Sequence, residues 1–386
     1  MKDKAAIFML LLILIGSAAA FSGCISSDDS VKEPEAITIT DMAGREVTVM
    51  APVSKVALLA STTINGFAAI AGEGFEDKIV AIGSSLSSVD GPSYERYLEI
   101  APSLDTLPVV GSIRGDTFSI ETVLAEEPDV VVIYTSDFRF GAQEKIVDPL
   151  TAAGVPVVCI DFTPTISDDA PSYQHVLDSI GLLGTILGEE DKAEEIQEYY
   201  KGEVKKVLDV IHEQSPTPST IYIEGGLTPP EEYSNTLVGG DAATIIRDLG
   251  GINIAEGVLE GSSGKLNPEY VLTSDPDSVV FFSRDAPQMY HLLMGYNATA
   301  AQVKGQLQDF VDARPGWEDL DAVKSGSIYG IEFSTGQKVF SFYAYQQYAK
   351  MIYPDLFSDL DPDEALEKFH EQFLPIDYSG TWCATI

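Results

Sequence analysis

The sequence predicts an α/β protein of two similar lobes joined by a helical connection, and three observations carry that expectation. Short apolar runs alternate with helical patterns through most of the 386 residues. Two consecutive helical patterns, with no flexible Gly/Ser linker, separate the halves. One pattern also occurs once in each half: ETVLAEEPDVVVI at residues 121–133 aligns without gaps on EYVLTSDPDSVVF at residues 269–281. The shared form, E-x-V-L-x-x-[ED]-P-D-x-V-V-[IF], reads as a helix stopped by Pro-Asp that runs straight into a buried strand. A glycine-rich loop precedes it both times, which argues for duplicated lobes.

Taken in order, the chain opens on Lys2, Lys4 and an apolar run at residues 5–20 that is short for a membrane span, so residues 1–23 read as a targeting segment. The run ends at Phe21-Ser22-Gly23-Cys24, where small residues precede a cysteine that would become a lipidated N-terminus. An uncleaved apolar anchor with an incidental cysteine is the other reading, and both place the remainder outside the cytoplasm. Residues 24–36 are polar, acidic and aperiodic, as a flexible tether would be. Residues 37–49 alternate apolar and polar around Asp41-Met42-Ala43-Gly44 and predict a β-hairpin.

A first lobe over 37–168 follows. Its strands are expected at 55–60, 79–82, 108–111, 129–134 and 155–160, because near-continuous hydrophobicity suits parallel strands covered on both faces. The connection at 169–214 holds one helical pattern with Val176, Leu177, Ile180, Leu183, Ile186 and Leu187 on its apolar stripe and Gly188 as C-cap, and a second from about 190 to 212 ended by Pro216 and Pro218. Two helices make a stiff joint, so the motion on binding is expected to be small. The second lobe, 215–386, repeats the grammar with strands at 220–223, 278–282 and 327–331 and helices at 242–249, 342–352 and beyond Asp363.

Composition excludes several functions. With 60 acidic and 23 basic residues the net charge is −37, which repels nucleic acid. Beyond Cys24 only Cys159 and Cys383 remain, too few for a disulfide framework or a thiolate metal site. Cys159 reads as a buried strand residue, and a bridge to Cys383 has nothing in the sequence behind it. The histidines, His175, His212, His291 and His370, show no pair at metal-ligand spacing. No G-x-S-x-G, H-E-x-x-H or P-loop pattern occurs, and Gly261-Ser-Ser-Gly-Lys265 lacks the strand a phosphate loop needs and reads as a loop. An exported α/β enzyme is therefore the weaker alternative to a binding protein, and a lipid-anchored sensor of the same fold is another.

With targeting segment, cysteine, hairpin, helix-joined lobes and paired Pro-Asp units assembled, the chain resembles the substrate-binding lipoproteins of iron-siderophore and vitamin B12 ABC importers. The resemblance covers roughly residues 37–374 and is most specific at 108–133 and at Gly181-Leu-Leu-Gly-Thr-Ile-Leu-Gly188. It implies two Rossmann-like lobes on a rigid helical connection, the class III periplasmic-binding-protein fold. It also implies a monomer, anchored to the membrane by lipid, that binds one small ligand and docks on a permease with its ATPase. No cofactor beyond the lipid is expected, and the ligand would be a ferric siderophore or a corrinoid. By motif position the glutamates that meet permease arginines in that family correspond to Glu121 and Glu269. Both also open helices, where the helix dipole favours a carboxylate whatever its role.

In open α/β sheets ligands lie outside the carboxyl ends of the strands. Those ends bring Arg114, Phe138 and Arg139 from the first half, and Glu224, Arg284 and Phe333 from the second, to the expected cleft. Guanidinium suits carboxylate or phosphate recognition, and the aromatic rings suit stacking on a planar ligand. Each arginine also has an acidic neighbour, Asp116, Asp137 or Asp285, with which it would otherwise pair.

Overall fold

The computed structural model describes residues 33–386. The targeting run, the lipidation call at Cys24 and most of the tether lie outside the described residues. Strands β1 (Glu35–Thr40) and β2 (Glu46–Ala51) pair antiparallel with Ile37 opposite Val49. Asp41 closes their turn by accepting bonds from the backbone N–H of Ala43 and Arg45, both at 3.0 Å. The same carboxylate accepts from Cys159 N–H, and Arg45 donates to the Val157 carbonyl, so the hairpin covers one edge of the first sheet.

That sheet holds β3 (Val56–Leu58), β4 (Ile79–Ile82), β5 (Val130–Ile133) and β6 (Val157–Cys159) in the order β4-β3-β5-β6, all parallel. Val130 and Val132 join one apolar cluster while Val131 and Ile133 join another on the opposite face, which is why the strand is apolar at every position. The run at 108–111 forms only a single parallel bridge, Val109 to Ile82. Pro108 has no N–H to extend a ladder, and Gly111 turns away at φ 84°.

The connection consists of helices Gln174–Leu187 and Glu190–Gln214 with left-handed Gly188 between them, φ 74°. All six apolar residues of the expected stripe are buried. The helices cross closely at Gly184, where a Cβ would lie 2.4 Å from that of Ala193. The longer helix is tied to the second lobe by Tyr200 to Ser341 at 2.8 Å and by the Gln346 amide donating to Glu203.

The second lobe contains β7 (Thr220–Gly225), β8 (Thr236–Leu237), β9 (Ile252–Asn253), β10 (Ser263–Gly264), β11 (Ser278–Ser283), β12 (Ile328–Glu332) and β13 (Cys383–Thr385). Its main sheet runs β13-β12-β11-β7-β9, parallel except for β13. The segment expected as a glycine-rich loop at 261–265 contributes β10, which pairs antiparallel with β8, Ser263 opposite Leu237. Cys159 and Cys383 sit in different sheets and are both free. Among the described residues no helix is long and apolar enough to cross a membrane.

The repeated sequence pattern is also a repeated piece of backbone. Glu127 and Asp275, the residues before each proline, both take positive φ, 49° and 41°. The following aspartates then do the same work: Asp129 accepts from the N–H of Ser54 and Lys55 at 2.8 Å each, and Asp277 accepts from the N–H of Thr220 at 2.7 Å. Each carboxylate thereby pins the start of the neighbouring strand, β3 or β7, to the central strand of its sheet.

One buried group makes stability pH-dependent. His370, on helix Pro362–Phe373, is enclosed by Tyr296, Phe340, Tyr378 and Trp382 and bonds Tyr296 through Nε2 at 3.0 Å. Burial pushes its pKa down from 6.5 to about 4; the bond with the Leu366 carbonyl opposes this and Lys338 adds to it. As pH falls below 6.5 the unfolded chain takes up a proton that the folded chain refuses until about pH 4, so stability falls with pH across that window. The loss is about 3 kcal/mol at pH 4. Denaturant unfolding of the wild type and His370→Gln between pH 7 and 4 checks it, and an unchanged slope in the variant would refute the assignment.

Candidate functional site

The carboxyl ends of β11 and β12 face the start of helix Gly91–Ile100 from the first lobe, leaving a recess of about 270 Å³ of open space. Asp90 and Ser93 line it from one lobe, and Arg284, Asp285, Glu332 and Lys338 from the other. Lys338 Nζ lies 3.1 Å from Asp90 Oδ2 and 3.2 Å from Ser93 Oγ, and Ser93 donates to Asp90 Oδ1 at 2.8 Å. Arg96 crosses the same gap nearer the surface to Asn297, at 3.1 Å. A second recess of about 230 Å³ shares Glu332 and is bounded by Asp241, Phe333 and Tyr348.

Burial dominates the electrostatics. It pushes the Glu332 carboxyl above the ordinary range against the opposing pull of Lys338 and Arg284, while the Ser334 hydroxyl donates to it at 2.8 Å. Asp241 is likewise raised by burial, against bonds from Ala242 N–H and the Gln337 amide. A Cβ on Gly336 would lie 2.3 Å from Asp241 Oδ2, so a larger residue there would displace the buried carboxylate. Among the described residues no group of three or more His, Cys, Asp or Glu side chains is placed to hold a metal ion.

Of the expected ligand residues, Arg284 lies on the first recess and Phe333 on the second. The Arg284 guanidinium stands 4.7 Å from the Phe333 ring centre, and Phe333 packs on Phe282 at 4.9 Å. Arg114 and Arg139 are exposed on the first lobe and line neither recess. Arg114 donates to Ser136 Oγ at 2.8 Å and stacks 4.7 Å over Phe140, a ring left 43% exposed. Its acidic neighbour Asp116 pairs with Lys145 instead, at 2.9 Å. Phe138, expected to face ligand, packs against the first lobe's core with Arg45 5.2 Å from its centre.

Glu224 needs a correction. It is fully buried, and both carboxylate oxygens bind the Arg314 guanidinium, at 2.7 and 3.0 Å. A carboxylate held in this way by an interior arginine is part of the lobe's framework and is not offered to the cleft. Glu121 and Glu269 are both exposed at the starts of their helices, beside the capping side chains of Ser119 and Asn267.

Sequence reasoning missed Asp90, Lys338 and Arg314. Lys338 did leave a signal: it has no acidic residue within four positions and is followed by Val339-Phe340, so a buried cation there demands a distant partner. Asp90 and Arg314 left none, because their partners lie 248 and 90 positions away.

The sequence model of a family described as periplasmic binding protein matches residues 56–335. An uncharacterised ABC transporter substrate-binding lipoprotein of Bacillus subtilis, YvrC, is 24% identical over 384 residues, covering 93% of this chain and all of that one. The molybdate-binding protein MolA of Haemophilus influenzae is 21% identical over 359 residues, 88% of this chain and 91% of that one. Among solved structures, the TroA-like periplasmic binding protein FepB of Veillonella parvula superposes with a TM-score of 0.84 at 29% identity, over 91% of this chain and 99% of that one. Molybdate-bound MolA superposes at 0.64 with 18% identity, over 89% and 99%.

Proposed function

Because this chain belongs to the periplasmic binding protein family, we propose that it is the extracytoplasmic substrate-binding component of an ABC importer, taking an anionic small ligand between its lobes and passing it to a permease driven by an ATPase. The observation that carries the reading is the recess lined by both lobes at the carboxyl ends of β11 and β12, with Arg284 and Lys338 as its cations. Its likeness to an ABC transporter lipoprotein over nearly the whole chain supports the partners and the location. Cys24 is then the lipidated residue that holds the protein at the outer face of the cytoplasmic membrane. No chemistry on the ligand is required of it.

The ligand class is an iron chelate or corrinoid bearing carboxylate or phosphate, met by Arg284, whose guanidinium is backed by the Phe333 ring. Arg114 and Arg139 stand exposed on the first lobe and line neither recess, so they are not assigned to the ligand. A second reading is a compact oxyanion, favoured by two cations, Arg284 and Lys338, on one recess and by the likeness to MolA, a molybdate-binding protein.

The test is retention of ligand by the full-length protein in detergent after incubation with ferric siderophores, corrinoids, haem or molybdate, read by mass spectrometry and absorbance. Retaining none of them ends the reading. For whichever is retained, Arg284→Ala is expected to weaken binding about 10- to 100-fold in calorimetry, the loss of one charge-assisted contact, with folding intact.

A further inference from the structure

Lys338 is a cation in an unusual position. Its side chain is 1% exposed and is flanked by the Trp382 and Phe340 rings, 5.2 and 5.8 Å from the ammonium. A buried ammonium is tolerable only with a counter-charge and filled hydrogen bonds. The second lobe, which carries Lys338, does not supply the bonds: its acidic neighbour Glu332 takes the Ser334 hydroxyl, and among the described residues the ammonium's bonds go to Asp90 and Ser93. The charge and the bonds come from across the gap, from Asp90 and Ser93. The ion pair thus forms only while the lobes are together, and it forms inside the recess.

We propose that Asp90 is a built-in counter-anion, a carboxylate that neutralises Lys338 in the empty protein and that the ligand's own anionic group displaces. The proposal rests on reading this recess as the ligand site, and it names the feature that selects the ligand. An anion reaching Lys338 and Arg284 replaces what Asp90 supplied, whereas a neutral or cationic molecule leaves the ammonium dependent on Asp90 and gains nothing from it. Asp90 is the competitor that every ligand must outbid, so it sets both the required charge and the affinity. The Ser93 hydroxyl, bonded to both members of the pair, moves its bond to the incoming anion without leaving the recess.

The experiment is thermal unfolding of the full-length protein in detergent, comparing wild type, Asp90→Ala, Lys338→Met and the double variant, each titrated with sodium formate or sodium molybdate and with sodium chloride at matched ionic strength. Asp90→Ala is expected to melt several degrees below wild type and to regain most of that loss with formate or molybdate but not with chloride. Lys338→Met is expected to show no response to formate or molybdate, and the double variant to melt above Asp90→Ala because no uncompensated charge remains. Rescue that survives Lys338→Met, rescue by chloride of equal size, or no anion-dependent gain overturns the proposal. If Asp90→Ala does not fold, the isosteric Asp90→Asn carries the same titration with the same outcomes. The formate arm needs no candidate transported ligand, so failure there is separate from failure of the importer reading.

Discussion

Arg314→Met is expected to lower the folding stability by about 3–5 kcal/mol, the cost of leaving a buried charge without its partner. Arg314 is 2% exposed and makes a two-pronged pair with Glu224, and it also donates to the carbonyls of Pro230 and Glu232 at 2.8 and 2.7 Å. Tyr233, Trp317, Phe310 and Phe281 surround the guanidinium, with ring centres 4.4 to 5.4 Å away, so no water replaces what the side chain supplies. Removing it strands the Glu224 carboxylate and frees the loop that follows β7. The double variant Glu224→Leu with Arg314→Met is expected to recover more than half of the loss, because well-packed apolar groups often substitute for a buried pair without cost. Urea unfolding measures both. A loss below about 1 kcal/mol for the single variant would show that the pair is solvated in a way its burial does not suggest.

Glu121→Ala combined with Glu269→Ala is expected to abolish uptake while leaving ligand affinity unchanged and lowering stability by no more than about 2 kcal/mol. The two glutamates stand at equivalent positions of a pattern that repeats in backbone as well as sequence, each exposed at the start of a helix leading into the central strand of its sheet. Neither lines either recess. As helix-start carboxylates each contributes at most about 1 kcal/mol to stability, so a merely local role predicts a small change in melting and no effect on transport. A docking role predicts loss of transport on top of that small change. Ligand accumulation in cells or proteoliposomes carrying the permease and ATPase, alongside calorimetry on the same variant, separates the two, and normal accumulation would remove these glutamates from the interface.

How much of this was legible in the chain differs from residue to residue. Strands β4 to β6 and β11 were readable because a strand covered on both faces must be apolar at every position, a pattern that needs no knowledge of its neighbours. Gly188 and Pro216 marked the helical connection for equally local reasons, a left-handed cap and a ring that cannot continue a helix. The run at 108–111 was over-read: its hydrophobicity is that of a strand, but Pro108 and Gly111 limit it to one bridge. The 261–265 segment was under-read, since a two-residue strand leaves no periodicity to detect.

The candidate recess was legible by position and not by partner. The rule that ligands lie at strand ends brought Arg284 to the recess, and it brought Glu224 to the same list. What distinguishes them is place in the fold: Glu224 is enclosed in its lobe with an arginine 90 residues further on, while Arg284 lines the recess beside Phe333.

From its own residues, then, the chain determines two α/β lobes, a joint of two consecutive helices and a strongly acidic composition, because periodicity, caps and net charge act over short range or by simple sum. Tertiary structure alone decides which charges are spent on holding a lobe together, which ones meet across the gap, and that Asp90 and Lys338 confront each other there. Electrostatic partnership is a matter of distance in space and of excluded water, and neither quantity is written in the order of residues.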